Sequence, residues 1–83
     1  MSFLYKEIVE WENKEVLQWL DLKNLKNFSD LFSKHRINGY DLCYITNEEL
    51  KNELGVMKLH DRMKILKEIR KTILQNCMIL FIK

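Results

Sequence analysis

Apolar residues in the first part of the chain recur at the three- and four-residue spacing of an amphipathic α-helix. A first short helix is predicted after Asn13, whose side-chain oxygen can cap free backbone N–H groups. Its apolar residues are Val16, Leu17, Trp19 and Leu20. A second helix with an aromatic stripe is predicted next, with Asn24 as its cap. The apolar residues of this second helix are Leu25, Phe28, Leu31 and Phe32.

The helical pattern is interrupted near Asn38-Gly39, a pair that favours a positive φ and hence a turn. The flanking residues do not alternate between apolar and polar, so this turn does not predict a β-hairpin. Residues 40–45 are long enough for one or two helical turns. Thr46 and Glu49 then match a capping box, which predicts the start of a fourth short helix. Gly55 is expected to end it in the left-handed conformation.

The fifth predicted helix begins near Lys58 and is the longest. Its inward line is expected to contain Ile65, Leu66, Ile69 and Ile73, with lysines on the outward face. Four short helices followed by one long helix predict an all-α fold, a compact five-helix bundle with a long C-terminal helix. We expect the domain to span residues 9–76. Residues 1–8 are then an N-terminal arm packed on the bundle, and residues 77–83 an apolar extension of helix five that packs against Phe3, Leu4 and Ile8.

Composition limits the chain to one small domain, because it has only 83 residues. Its 47% hydrophobic and 31% charged residues are typical of a packed core and a solvated surface rather than of disorder. Cys43 and Cys77 have no metal-ligand or disulfide spacing, so each is expected to be a reduced apolar residue. No signal peptide and no transmembrane segment is predicted, and the expected location is the cytoplasm.

Charge is distributed unevenly along the chain, although the formal net charge is only +2. Residues 58–71 hold six cations and two carboxylates, a net charge of +4. Residues 38–54 hold four carboxylates and one lysine, a net charge of −3. A basic and an acidic region on one domain are therefore expected to make the molecule an electric dipole, and the small net charge does not by itself imply a nucleic-acid partner.

The adjacent residues His60, Asp61 and Arg62 are of types that can take part in catalysis, metal binding or polar recognition. Neighbouring helical residues project about 100° apart, so these side chains do not converge on one substrate atom. The sequence therefore predicts no enzyme, no metal site, no cofactor and no small-molecule substrate. Asp61 is explained by its favourable interaction with the helix dipole. Cations at Lys58 and Arg62 oppose that dipole, and we interpret them as residues that face a partner.

The order of these features resembles the sterile alpha motif (SAM) domain family from Val9 to about Ile73. The residues that carry the resemblance are Trp11, Trp19-Leu20, Phe28, Phe32, Ile37-x-Gly39, Leu42, Thr46, Leu50, Leu54-Gly55-Val56 and Arg62-x-x-Ile65-Leu66. Two positions depart from the family pattern. His60 stands where many members have glycine, and Cys43 stands where leucine is usual.

The resemblance implies a non-enzymatic protein-interaction module, excised from a larger signalling or scaffold protein. Its implied partner is another SAM domain, of the same chain or of a different protein, so a homo-oligomer is one expected form. Two implied surfaces would dock on each other. We define the end-helix surface as Lys58, Leu59, His60, Arg62, Lys64 and Lys67. We define the mid-loop surface as Tyr40, Asp41, Tyr44, Glu48, Glu49 and Glu53.

Two alternatives remain open at the level of sequence. Some SAM domains bind RNA hairpins with basic residues of helix five, and the patch here could contact phosphates. The low net charge and Asp61 within the patch argue against this alternative. The other alternative is a structural dimer made through the apolar termini, which truncation of residues 77–83 would remove.

Overall fold

All regular secondary structure in the described part of the chain is helical. A computed structural model describes the backbone of residues 7–82 and the side chains of residues 7–76. Within that part there is no strand, and the elements confirm the predicted all-α class. The α-helices are α1 (Asn13–Leu22), α2 (Ser29–Lys34), α3 (Gly39–Tyr44), α4 (Asn47–Asn52) and α5 (Leu59–Ile82). Two 3₁₀ turns cover Ile8–Glu10 and Lys26–Phe28.

The start of α1 differs from the prediction by one residue and by mechanism. Glu12 precedes the helix, and its backbone N–H donates to Oε1 of Glu15 at 2.7 Å. Asn13, the predicted cap, instead donates from Nδ2 to the carbonyl oxygens of Phe32 (3.1 Å) and Ile37 (2.8 Å). The amide therefore ties the start of α1 to the end of α2 and the segment after it, where the carbonyl of Phe32 also accepts from the backbone N–H of Ile37 at 3.0 Å.

The predicted second helix is divided into the 3₁₀ turn at Lys26–Phe28 and the α-helix that follows it. Asn24, its predicted cap, does not cap either element. Its φ of 60° is left-handed, which asparagine tolerates better than most residues. Asn24 thus reverses the chain after α1.

The turn before α3 was predicted with a positive φ, and this prediction is wrong for Asn38. Its φ is −106°, and its Oδ1 accepts from the backbone N–H of Asp41 at 2.9 Å. The backbone N–H of Asn38 donates back to Oδ2 of Asp41 at 3.2 Å. This reciprocal pair is a capping box, so the local chemistry of Asn38 starts a helix rather than a reverse turn.

Local sequence correctly predicted both ends of α4. Oγ1 of Thr46 accepts from the backbone N–H of Glu49 (3.1 Å), and Oε1 of Glu49 accepts from the backbone N–H of Thr46 (2.9 Å). Gly55 has a φ of 83°, and the following Val56 N–H donates to the carbonyl of Leu50 at 2.8 Å. Both ends rely on short-range contacts, which is why they can be read from sequence.

Replacing Thr46 by alanine is expected to lower the free energy of unfolding by about 1 kcal/mol, because Glu49 loses the acceptor for its backbone N–H. Urea unfolding followed by circular dichroism measures the change. Thr46→Ser keeps the hydroxyl and serves as the control. Equal stability of the alanine and serine variants would show that the cap contributes nothing.

The core lies between α5 and the shorter helices. Its buried apolar residues are Ile8, Trp11, Val16, Trp19, Leu20, Leu25, Phe28, Phe32, Ile37, Leu42, Leu50, Leu54, Val56, Ile65 and Ile69. The predicted inward line of α5 is confirmed, since Ile65 and Ile69 are buried and Leu66 and Ile73 are partly buried against the core. Trp19 donates from Nε1 to Oγ1 of Thr72 at 2.8 Å, so α1 is also joined to α5 by a buried hydrogen bond.

Near the chain ends, Ile8 is buried and its backbone N–H donates to Oδ1 of Asn76 at 3.3 Å. The predicted contacts of Phe3 and Leu4, and the predicted packing of the side chains of residues 77–83, lie outside the described residues. The predicted domain limits of 9–76 therefore stay a prediction. Within the described residues, no helix combines the length and apolar character required to cross a bilayer.

Candidate protein-interaction surfaces

The mid-loop surface is formed by α3, α4 and the loop between them. All six of its predicted residues are exposed. Tyr40 and Tyr44 lie one turn apart on α3, with ring centroids 4.9 Å apart and ring planes inclined by 46°. Both rings line an open groove with the carboxylates of Asp41, Glu49 and Glu53. The fold thus brings an aromatic pair and a set of acidic side chains into one groove.

The carboxylates of this surface are not equally available. Asp41 and Glu49 accept hydrogen bonds within their own capping boxes. The side-chain carboxylates of Glu48 and Glu53 make no hydrogen bond or ion pair with the described residues, and both residues line a second small hollow beside α4. Glu48 and Glu53 are therefore the carboxylates whose charge is least committed to the fold.

Four residues that line the groove were not predicted from the sequence. His35, Ile37, Ile45 and Leu54 line it together with the predicted residues. Ile37 and Leu54 are buried core residues, and His35 follows α2. No short-range pattern joins His35 to Glu53, because residues this far apart in the chain meet in one groove only through the tertiary fold.

The end-helix surface begins at the loop before α5. Lys58, Leu59, His60, Lys64 and Lys67 are exposed, as a partner-facing role requires. His60, Lys64 and Lys67 line a shallow groove along the helix. The basic surface expected from sequence is therefore present, with one exception.

Arg62 corrects the predicted end-helix surface. Its side chain is turned into the domain, and the residue is only 6% exposed. Its Nη1 donates to the carbonyl oxygens of Val56 (2.8 Å) and Met57 (2.9 Å), and its Nε donates to Oδ1 of Asn47 (2.8 Å). A guanidinium in this position holds the α4–α5 loop and cannot present its charge to a partner.

The helix dipole is not the only electrostatic influence on Arg62. The carbonyl oxygens of Val56 and Met57 accept from its guanidinium and supply the negative partial charge that offsets the dipole. Arginine can satisfy these acceptors at once because its donors form a rigid planar fork. Lys58 is exposed, and its role as a partner-facing residue stays a prediction.

The described part of the chain was searched for metal-binding clusters and reactive thiols. No cluster of three or more histidine, cysteine, aspartate or glutamate side chains there could hold a metal ion. Burial raises the pKa of the Cys43 thiol above its usual value, so the neutral thiol dominates at pH 7. Cys43 also packs against the core, as expected of a small apolar residue at a leucine position.

The fold agrees with the comparisons with known proteins. The family model for the SAM domain (sterile alpha motif) matches residues 9–72, and the chain belongs to this family. SAM domains are protein-interaction modules, which is the class of function that the two exposed surfaces fit. No solved structure matches the chain significantly.

Curated relatives contain the matching segment within much longer proteins. Mouse (Mus musculus) diacylglycerol kinase eta is 33% identical over 63 residues, which are 76% of this chain and 5% of the kinase. WD repeat, SAM and U-box domain-containing protein 1 of Danio rerio is 34% identical over 62 residues, 75% of this chain and 13% of that protein. The inactive protein tyrosine kinase pTKL of Plasmodium falciparum is 38% identical over 61 residues, 72% of this chain and 4% of pTKL.

Proposed function

We propose that this SAM domain assembles head to tail, with the end-helix surface of one copy docked on the mid-loop surface of the next. One observation carries the proposal: exposed lysines and uncommitted carboxylates lie on two surfaces of the same domain that share no residue. A second copy offers both complementary surfaces, so it is the first partner to test. Contacts of this kind are heterologous and can propagate.

Charge pairs and apolar contacts contribute differently to this docking. Exposed ion pairs gain only about 0.2–1 kcal/mol each, so Lys64 and Lys67 mainly set the register and the association rate. Affinity then depends on the exposed apolar side chains of both surfaces. Tyr40 and Tyr44 supply them on the mid-loop surface, and Leu59 supplies one on the end-helix surface.

Sedimentation of charge-reversal variants tests the proposal. Lys64→Glu/Lys67→Glu removes the end-helix surface, and Glu48→Lys/Glu53→Lys removes the mid-loop surface. Each variant alone is expected to stay monomeric at low salt, while the wild type forms larger species as concentration rises. A mixture of the two variants is expected to stop at a heterodimer, because each retains one intact surface.

The control is Lys14→Glu/Lys34→Glu, which makes the same charge change at exposed residues of α1 and α2. It is expected to assemble like the wild type. A wild-type chain that stays monomeric at millimolar concentration and low salt would overturn self-docking. Arg62 is unsuitable for this test because its substitution alters the loop that carries Met57 and Lys58.

RNA binding is the alternative function. The same charge-reversal variants distinguish it from head-to-tail docking. An RNA hairpin would contact the lysines of α5, and its affinity would fall steeply with added salt. Glu48→Lys/Glu53→Lys leaves those lysines unchanged. Retained binding of structured RNA hairpins by this variant at physiological salt would favour the RNA alternative.

We also propose that this domain belongs to a longer protein. We expect a longer cytoplasmic signalling or scaffold protein in which this domain recruits or assembles other chains. Support comes from the curated relatives, of which the chain spans only a small share.

A further inference from the structure

The loop between α4 and α5 presents a large apolar side chain that lies outside both surfaces defined above. Met57 is 69% exposed, more than any other large apolar residue in the described part of the chain. Leu59 is also exposed, and the exposed Lys58 lies between the two in sequence. We name Met57, Lys58 and Leu59 the loop tip. It offers apolar contact area together with a positive charge.

The backbone of the loop tip is held by the fold. Nη1 of Arg62 donates to the carbonyl oxygen of Met57 at 2.9 Å, and the backbone N–H of Arg62 donates to that of Lys58 at 3.1 Å. Val56, just before the tip, is buried, and its N–H donates to the carbonyl of Leu50 at 2.8 Å. Hydrogen bonds on both sides therefore fix the backbone from which Met57 projects. A contact made from such a backbone costs less ordering on binding than one made from a loose loop.

The groove beside Tyr40 and Tyr44 has the apolar character to receive this tip. The core residues Ile37 and Leu54 and the partly buried Ile45 also line it. Its volume of about 410 Å³ admits a side chain. Methionine suits such a site, because its unbranched side chain adapts to irregular gaps and its sulfur makes favourable contacts with aromatic rings.

The charges of the groove are opposite to that of the loop tip. Three carboxylates, those of Asp41, Glu49 and Glu53, line the groove together with one histidine, His35. The side chain of Glu53 makes no hydrogen bond or ion pair with the described residues, so its charge is open to a partner's cation. Lys58 supplies that cation next to Met57.

We propose that the loop tip of one copy seats in this groove of the next copy, with Met57 against the rings of Tyr40 and Tyr44. Lys58 then faces the carboxylate of Glu53. The inference rests on the head-to-tail docking proposed above and names the residue that anchors it. A second copy is the occupant because the same chain carries both the apolar and basic tip and the aromatic and acidic groove.

Met57 and the lysines of α5 have different roles in this contact. Removing a large apolar side chain from water contributes more to affinity than an exposed ion pair does. Met57 therefore contributes mainly to affinity, whereas Lys64 and Lys67 contribute mainly to register and association rate.

Two variants that each keep one surface form a heterodimer in which this contact can be measured. The donor is Glu48→Lys/Glu53→Lys, which keeps the loop tip and the end-helix surface. The acceptor is Lys64→Glu/Lys67→Glu, which keeps the groove. Isothermal titration calorimetry at low salt measures the affinity of the donor for the acceptor.

Met57→Gln in the donor is expected to weaken the heterodimer by about tenfold, because the groove loses its apolar anchor. The same substitution in the acceptor is expected to change the affinity by no more than about twofold, since the loop tip of that copy makes no contact. Any effect of the substitution on folding is common to both chains, so the comparison isolates binding. Leu22→Gln in the donor is the matched control, because Leu22 is 62% exposed on α1 and lies outside both surfaces.

A double-mutant cycle tests the contact between Met57 and the tyrosines. Tyr44→Gln in the acceptor is also expected to weaken the heterodimer by about tenfold. Combined with Met57→Gln in the donor, it is expected to weaken binding by much less than the product of the two effects, because both substitutions remove the same contact. In methyl NMR spectra, the Met57 signal of the donor is expected to move upfield on adding the acceptor, since the methyl group enters the shielding region of the rings.

The outcomes separate this inference from the docking on which it rests. A Met57→Gln donor that binds as tightly as the unsubstituted donor would overturn the role of Met57 and leave head-to-tail docking intact. Independent effects of Met57→Gln and Tyr44→Gln would also overturn it, because Met57 would then lie away from the rings. A donor and an acceptor that do not bind at millimolar concentration would overturn both proposals.

Discussion

Replacing Arg62 by methionine is expected to lower the free energy of unfolding by about 2–4 kcal/mol. Methionine preserves much of the aliphatic volume but none of the donors. The carbonyls of Val56 and Met57 and the side-chain oxygen of Asn47 then lose their partner. Buried acceptors without a donor are costly, and the Val56 contact is fully buried.

Urea unfolding followed by circular dichroism measures this loss. Lys64→Met is the matched control, because Lys64 is an exposed cation on the same helix and its substitution is expected to change stability by no more than about 0.5 kcal/mol. Equal stability of the two variants, with partner binding lost only at Arg62, would restore the sequence-based view of Arg62 as a partner-facing residue.

Arg62→Lys separates the charge from the geometry of the donors. Lysine retains the positive charge but concentrates its donors on one nitrogen, which cannot span three acceptors as the planar guanidinium does. We expect its stability to fall between those of the wild type and Arg62→Met. A lysine variant as stable as the wild type would show that charge alone is required at this position.

Replacing Gly39 by alanine is expected to destabilise the domain by about 3 kcal/mol or more. A Cβ at this position would overlap the carbonyl oxygen of Ile8 and lie 2.8 Å from Cβ of Trp11. The backbone N–H of Gly39 also donates to the carbonyl of Trp11 at 2.9 Å. The N-terminal 3₁₀ turn therefore lies directly against α3, and the backbone there cannot move away without losing this hydrogen bond.

The other glycine provides the control for this prediction. Gly55 has a φ of 83°, and a Cβ there would meet no atom within 4 Å. Gly55→Ala should therefore cost only the strain of the left-handed conformation, about 1–2 kcal/mol. Thermal unfolding of both variants compares the two costs. A larger loss for Gly55→Ala than for Gly39→Ala would contradict the packing of the 3₁₀ turn on α3.

The α4 helix shows what short-range chemistry can predict. Thr46, Glu49 and Gly55 act through residues no more than a few positions away, so their roles are present in the sequence itself. The period of the apolar positions likewise identified the inward line of α5 and the buried aromatic residues. Both signals need no knowledge of how the helices pack.

Local sequence patterns gave wrong predictions for asparagine, because this residue can take several structural roles. Asn38-Gly39 favours a turn by propensity, but Asp41 lies close enough to form a capping box and starts a helix. Asn13 and Asn24 are both suitable N-caps, yet one bridges α1 to the end of α2 and the other reverses the chain. Asparagine can cap, bridge or reverse a chain, and its neighbours in space decide which.

The sequence by itself determined the family, the helical order and the opposite charges of the two surfaces. These depend on composition, periodicity and contacts within a few residues. Only the tertiary structure decided that Arg62 belongs to the fold and that His35 joins the mid-loop groove. It also showed that the large apolar residues Met63 and Leu74 of α5 are exposed. A side chain's orientation depends on acceptors and neighbours distant in sequence, which no local pattern contains.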